Sequence, residues 1–434
     1  MNGVRASIRK LPPSAVIKIL KKVFSLPAPA ARLILNDVTR ARKSHKSWIH
    51  KVKLSQHHLQ DWSGCWIGEN IHDLNPEELM KRVYEADIVI FYVHGGGFRV
   101  GSCTMYMDTN IAWINVLKQK YSLKCMIMSV DYRLAPEFHY PSPVEDIVRA
   151  YEHLIQKIGV QSEKIIVVGD SAGAALILEM LFITHDPSMF EIEIADDNAQ
   201  QPVLSELPRP AGTILISPLV TDETCSESWK TNEKHDYITQ YTAKVIKRDY
   251  FNPPKKGNHN EDEEEEKTNQ LLGIAKLQTG FSAFMSPQVL MYIGNYEVLR
   301  DDALQLALKA ELDGVAWQTV IEDNVHDWFC VREVVKDKMT LIRADQTFAD
   351  FCYKAIGKPG QEKERTQPYI PTPRSSLTSG LEAVLEEDED EESSYLSDTT
   401  PSNSSLYDFG LSRLSLDEFE QKPSSKRSSE IVFV

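Results

Sequence analysis

A serine set between small residues, Gly169-Asp-Ser-Ala-Gly173, follows directly on the β-rich run Lys164-Ile-Ile-Val-Val168 and leads directly into a helix-forming run, residues 174–184. That order is strand, tight turn, helix. A serine at the centre of G-x-S-x-G needs small neighbours, because the chain must reverse sharply enough to lift the hydroxyl clear of a sheet. Ser171 is therefore a candidate nucleophile. About seventy-five residues upstream, after another strand-like run, stands His94-Gly-Gly-Gly97-Phe98. Glycines there let backbone N–H groups turn toward a ligand and hold the negative oxygen that develops when a serine attacks an acyl carbon. Gly96 and Gly97 are the candidate oxyanion donors, with the N–H of Ala172 as the third.

An attacking serine needs a base, and the base needs an orienting carboxylate, in the chain order Ser, Asp or Glu, His. Of the twelve histidines, His326 meets this best, because it follows the last strand-like run in the loop Glu322-Asp-Asn-Val-His-Asp-Trp328. The carboxylate is sought in Gly294-Asn-Tyr-Glu297-Val-Leu-Arg-Asp301-Asp302. Glu297 sits nearest the strand end and is the choice. Asp301 and Asp302 remain alternatives that read as the first turn of a helix, where acids meet the helix dipole favourably.

Elements that would position these residues are legible as an alternation. Candidate strands at 87–93, 125–130, 164–168, 213–217, 288–293 and 318–321 are short and nearly continuous in apolar residues, as in a parallel sheet buried on both faces. Helical segments such as 143–158 and 301–313 separate them, the latter stopped by Gly314. The pattern predicts an α/β doubly wound architecture. The segment 131–137, Asp131-Tyr-Arg-Leu-Ala-Pro-Glu137, reads as structural: Pro136 fixes a turn, and Arg133 with the acids ties loops together.

The 434 residues carry a formal net charge of −15, but its sources are segregated. Residues 1–60 hold thirteen Lys or Arg and a single acid, Asp37. From residue 357 the chain turns Ser-, Thr- and Pro-rich and acidic, including Glu386-Glu-Asp-Glu-Asp-Glu-Glu392, which predicts disorder over 357–434. A second acidic stretch, 252–269, reads as a solvated loop insertion. The expected division is thus 1–84, basic helices contributing to a cap or a membrane-surface contact; 85–356, the catalytic domain; and 357–434, the tail. Six scattered cysteines form no C-x-x-C pair, and no apolar run approaches the roughly eighteen residues of a membrane span, so a reduced, cytoplasmic setting is expected. No nucleic-acid partner fits this charge balance.

His94-Gly-Gly-Gly97, Asp131 to Glu137 and Gly169 to Gly173, in that order and spacing, resemble the hormone-sensitive-lipase-like branch of the α/β-hydrolases. The stretch 62–71 also looks like fungal members, among them steryl acetyl hydrolases. The resemblance implies an eight-stranded, mostly parallel sheet with helices on both faces, a helical cap built partly from the N-terminus, and no cofactor or metal. It implies Ser171 as nucleophile, His326 as base, and Gly96, Gly97 and Ala172 as oxyanion hole, acting on a lipophilic carboxylic ester through an acyl-enzyme. Two departures stand out: Glu297 occupies a place usually taken by aspartate, and Ala174 one often taken by glycine. The alternative function is a non-catalytic small-molecule receptor, or an adaptor whose tail, with Ser393, Ser394, Ser397 and Ser415 near acids, binds regulatory proteins. Residues 14–26 set Val16, Ile17, Leu20, Val23 and Phe24 opposite Lys18, Lys21 and Lys22. That is a basic amphipathic helix, suited either to roofing an acyl pocket or, within residues 1–26, to docking on an anionic ER or lipid-droplet surface.

Overall fold

All six apolar runs form strands, and two further strands lie upstream of them. In chain order these are β1 (Ile49–Val52), β2 (Ser63–Ile67), β3 (Ile88–Val93), β4 (Cys125–Asp131), β5 (Ile165–Asp170), β6 (Gly212–Ile216), β7 (Gln288–Gly294) and β8 (Ala316–Glu322). This computed structural model describes residues 11–52, 62–189, 206–251, 274 and 276–357. The expected acidic insertion at 252–269 and, Gly357 apart, the expected tail lie outside the described residues.

The eight strands make one sheet in the order β1-β2-β4-β3-β5-β6-β7-β8. β1 pairs with β2, and β2 with β4, antiparallel; every pairing from β4 onward is parallel. Alternate residues of the central strands feed two separate cores, as the two-residue repeat of a strand requires. Val89, Phe91 and Val93 of β3 enter one, while Ile88, Ile90 and Tyr92 enter the other. β5 divides in the same way, with Val167 on one side and Val168 on the other.

Helices cover both faces. The described ones are α1 (Pro13–Phe24), α2 (Ala28–Thr39), α3 (Pro76–Tyr84), α4 (Met107–Tyr121), α5 (Ser142–Glu152), α6 (Ala172–His185), α7 (Glu227–Asn232), α8 (Gln240–Ile246), α9 (Phe281–Phe284), α10 (Arg300–Leu312) and α11 (Lys338–Ala355). Tyr151 of α5, Leu176 of α6 and Leu306 of α10 pack on one face; Trp113 of α4 and Phe348 of α11 stack together on the other, ring centroids 4.8 Å apart. The helix expected over 143–158 stops being regular after Glu152. Its end widens into a π-turn, His153–Lys157, closed by the N–H of Ile158 on the carbonyl of His153.

The basic N-terminal helix turns its apolar stripe inward. Val16 and Val23 of α1 are buried, Phe24 stacks on Tyr237 at 5.7 Å, and the Lys21 ammonium donates to the Glu233 carbonyl at 2.9 Å. Behind the α1–α2 junction, the Arg99 guanidinium pairs with Asp249 at 2.7 Å and donates to the Leu26 carbonyl, all but shut off from water. Removing one member of such a pair would strand a buried charge, so the pair fixes the N-terminal helices against the loop that follows β3. Arg133 bridges Asp146 and Glu145 of α5, as its segment's structural reading requires. No helix among the described residues is long and apolar enough to cross a membrane.

Candidate active site

Ser171 sits between β5 and α6 with φ +50° and ψ −117°, a backbone state that L-residues avoid. Both flanks enforce it. The Ser171 N–H continues the ladder onto the Ile216 carbonyl of β6 at 2.8 Å, while its own carbonyl already accepts from Ala174 and Ala175 in α6. Close approach explains Gly173: a Cβ there would lie 2.2 Å from the Val93 carbonyl oxygen. Ala174, the departure noted in sequence, is fully buried in the core.

The other site residues project from the carboxyl ends of neighbouring parallel strands, where open α/β sheets place ligands. The loop after β3 holds Gly96 and Gly97 at φ +110° and +60°. His94 anchors that loop: its ring stacks on Tyr132 at 4.4 Å, and Tyr132 donates to the His94 carbonyl at 2.8 Å. Gly96 and Gly97 line the same cavity as Ser171 and His326. Among the described residues, the backbone N–H groups of Gly96, Gly97 and Ala172 have no partner within the protein.

His326, after β8, places Nε2 2.9 Å from Ser171 Oγ and Nδ1 3.1 Å from Glu297 Oε2. A carboxylate only accepts, so Nδ1 carries a hydrogen, and in the neutral ring Nε2 presents its lone pair to the serine hydroxyl. The other Glu297 oxygen accepts from Ser217 Oγ at 2.9 Å and from the Gly294 N–H. Glu297 and His326 are both buried. Asp301 and Asp302 stand elsewhere: Asp301 accepts from the Ser228 N–H, and Asp302 from Ser226 and the Trp229 indole, tying α10 to α7.

Three residues with no sequence signal complete the arrangement. Ser217, at φ +46° after β6, links Glu297 to the Asp327 N–H, which it accepts at 2.9 Å. Asn232 donates to the Glu297 carbonyl at 2.9 Å. Asp236 accepts from the N–H groups of Val298 at 2.8 Å and His326 at 3.4 Å, clamping the two loops together. None belongs to a motif; each is brought in by the fold. Asp327 lies in the loop read for His326, yet its carboxyl, 3.3 Å from Nε2, has no counterpart in a spacing argument.

The electrostatics of this interior are one-sided. Burial pushes the Asp236 and Asp170 carboxyls up to about 6 and Asp327 well above its ordinary range. For His326, burial works against the charged ring, but Asp327, Glu297 and Asp236 outweigh it and push the imidazole up to about 10.

A family model described as the alpha/beta hydrolase fold matches residues 90–330. An esterase of Acinetobacter venetianus is 29% identical over 254 residues, 54% of this chain and 65% of that protein. An arylacetamide deacetylase of Oryctolagus cuniculus is 33% identical over 128 residues, 27% of this chain and 30% of that protein. The chain thus spans just under two thirds of the first relative and under a third of the second. Among solved structures, a hormone-sensitive lipase from a metagenome library superposes with a TM-score of 0.59 at 20% identity, covering 80% of this chain and 99% of that one.

Two expectations follow from the geometry. Glu297→Gln should lower kcat for a nitrophenyl ester by roughly 10³-fold, because an amide no longer selects the Nδ1–H tautomer. Asp301→Asn should change it less than about threefold; the reverse ranking would transfer the orienting role to Asp301. As a base His326 must be neutral, and its raised affinity for a proton keeps it charged to higher pH than a free imidazole. The acid limb of kcat/KM should therefore lie on the alkaline side of the ordinary 6.5, toward 10, and a limb at or below 6.5 would show that the carboxylates do not act on the ring.

Proposed function

The chain belongs to the α/β-hydrolase fold family, and from that premise we propose that it is a serine carboxylic ester hydrolase of the hormone-sensitive-lipase-like branch, working through an acyl-enzyme. The observation that carries this reading is the unbroken relay Ser171 Oγ, His326 Nε2, His326 Nδ1, Glu297 Oε2 at 2.9 and 3.1 Å. Each member is buried, so its field acts without the screening of bulk water.

In the proposed reaction His326 takes the Ser171 proton as Oγ attacks the ester carbon. The N–H groups of Gly96, Gly97 and Ala172, free of partners among the described residues, hold the oxyanion. The imidazolium, steadied by Glu297, then returns the proton to the leaving alcohol. Water activated by the same imidazole releases the acid. The groups on either side of the ester are short in this reading, since the cavity on Ser171 offers about 30 Å³ between Phe24, Leu219, Trp229 and Ile246. Behind Phe24 lies a second, largely apolar cavity of about 170 Å³, lined by Val16, Leu20, Leu35 and Tyr237. Displacing the Phe24 ring would join the two and admit a longer lipophilic group, such as the sterol of a steryl acetate.

Contact with a lipid surface is also proposed, but not through the apolar stripe of α1, which is already covered. It rests on α2, whose Leu33 is 75% exposed and Ile34 39% exposed beside a basic N-terminal segment.

In a series of acetyl, butyryl and octanoyl nitrophenyl esters with a steryl acetate, the wild type should favour acetyl. Ser171→Ala should lose at least about 10³-fold in kcat on each ester while keeping its circular dichroism; retained turnover would remove the serine mechanism. For the lipid surface, the double variant Leu33→Ser/Ile34→Ser should co-sediment with phosphatidylserine vesicles at least about fivefold less than the wild type. Equal binding would end that reading.

A further inference from the structure

Asp327 is an expensive residue in its place. It is an L-residue at φ +52° and 3% exposed, and among the described residues its Oδ1 has no hydrogen-bond partner. Its fold-supporting contacts are made by the backbone: the N–H donates to Ser217 Oγ, and the carbonyl accepts from Cys330 and Val331. A glycine would supply both of these contacts and suit the backbone better. Nothing in the packing therefore calls for the carboxyl, and a buried, half-satisfied acid is a liability unless something else arrives to satisfy it.

The surroundings indicate what would arrive. Asp327 lines the Ser171 cavity together with Glu223 and Asp222, and no lysine or arginine lines it among the described residues. Lys247 offsets Asp222 from outside, at 2.8 Å, whereas Asp327 has only the imidazole it shares with Glu297. The remaining walls include the aromatic rings of Phe24, Trp229 and Phe251. The Trp229 ring is fixed through its indole N–H on Asp302. Acidic side chains that outnumber the cations facing them, set among aromatic faces, are the chemistry that holds an ammonium group.

We propose that Asp327 determines specificity on the leaving side, by binding a protonated amine carried by the alcohol of the substrate. The inference rests on the ester-hydrolase reading above and adds no covalent step to it. Position argues for the alcohol over the acid. Asp327 Oδ2 stands 3.3 Å from Nε2, the atom that must hand its proton to the leaving oxygen. An amine two carbons from that oxygen lies roughly 3 Å from it in the staggered gauche form, which brings the ammonium alongside Asp327 when the oxygen is within reach of Nε2. The substrate class is then a short-chain ester of a 1,2-amino alcohol.

The test compares two acetates of the same shape, that of 2-(dimethylamino)ethanol, cationic at pH 7, and its carbon isostere 3-methylbutyl acetate. The ratio of their kcat/KM values, amine over isostere, should fall about tenfold or more from wild type to both Asp327→Asn and Asp327→Gly. Comparing variants cancels the intrinsic reactivity of the two esters, and circular dichroism checks that each variant is folded. An unchanged ratio in both folded variants would overturn the inference while leaving the hydrolase reading intact. Failure of the hydrolase reading looks different: neither ester is cleaved, and Ser171 is not labelled by a fluorophosphonate. Calorimetry with free 2-(dimethylamino)ethanol then decides, since binding to the wild type that is lost in Asp327→Asn supports the amine site, and absence of binding to the wild type overturns it.

Discussion

Holding a serine at φ +50° costs about 1–3 kcal/mol of backbone strain, and much of the surrounding structure serves to hold it there. The residue is caught between a strand and a helix that are each fixed independently. β5 lies in the middle of the sheet, fully buried, and α6 is apolar on all sides and buried along most of its length. Neither can relax to relieve the turn. The strain has a use, because the same turn lifts Oγ out of the sheet and leaves the Ala172 N–H at the start of α6 unpaired among the described residues, where the helix dipole favours an anion.

The sheet order then does the positioning. β3, β5, β6, β7 and β8 are consecutive neighbours and all parallel, so their carboxyl ends lie side by side. Each contributes one part: the glycine loop, Ser171, Ser217, Glu297 and His326. A relay built from loops of five strands needs their ends level to within a fraction of an ångström, and a continuous hydrogen-bonded ladder supplies that at no further cost in ordering. The interior so formed carries Glu297, Asp236, Asp170 and Asp327 around a single imidazole. Four acids and one base cannot all be charged out of water, and the rise in the affinities of the aspartates for protons expresses that limit.

The parts of this arrangement that were legible in sequence are those with a local cause. Gly169 to Gly173 and His94 to Gly97 need small residues next to one another, so they form contiguous words. The six strands buried on both faces need uninterrupted apolar runs. β1 and β2 escaped because their burial comes from the edge pairing and not from composition: Ile49–Val52 sets His and Lys side by side between two apolar residues, and Ser63–Ile67 starts with Ser and Gly. Ser217, Asn232 and Asp236 escaped for a deeper reason. Each acts through a hydrogen bond to a residue 62 to 110 positions away, with nothing in its own neighbourhood to mark it. Asp327 was in view beside His326, but an orphaned carboxyl is a property of the folded interior and has no sequence signature.

Glu297 shows how a departure from a family pattern is absorbed by its setting. Its carboxylate has three donors to reach, Ser217 Oγ, the Gly294 N–H and His326 Nδ1, and it meets all three from a backbone three residues past Gly294. Gly294 makes room for it, since a Cβ there would lie 2.9 Å from Glu297 Oε1 and 2.3 Å from the Asn324 carbonyl oxygen. The Glu297 backbone is pinned in turn, its carbonyl by Asn232 and the following N–H by Asp236. An aspartate on this same backbone would fall one methylene short of at least one donor and leave it unpaired in the interior. The longer side chain and the loop geometry are therefore specified together. The substitution of glutamate for aspartate is best understood as a paired change of reach and anchor, in which the position of the carboxylate, not the identity of the residue that carries it, is what the imidazole requires.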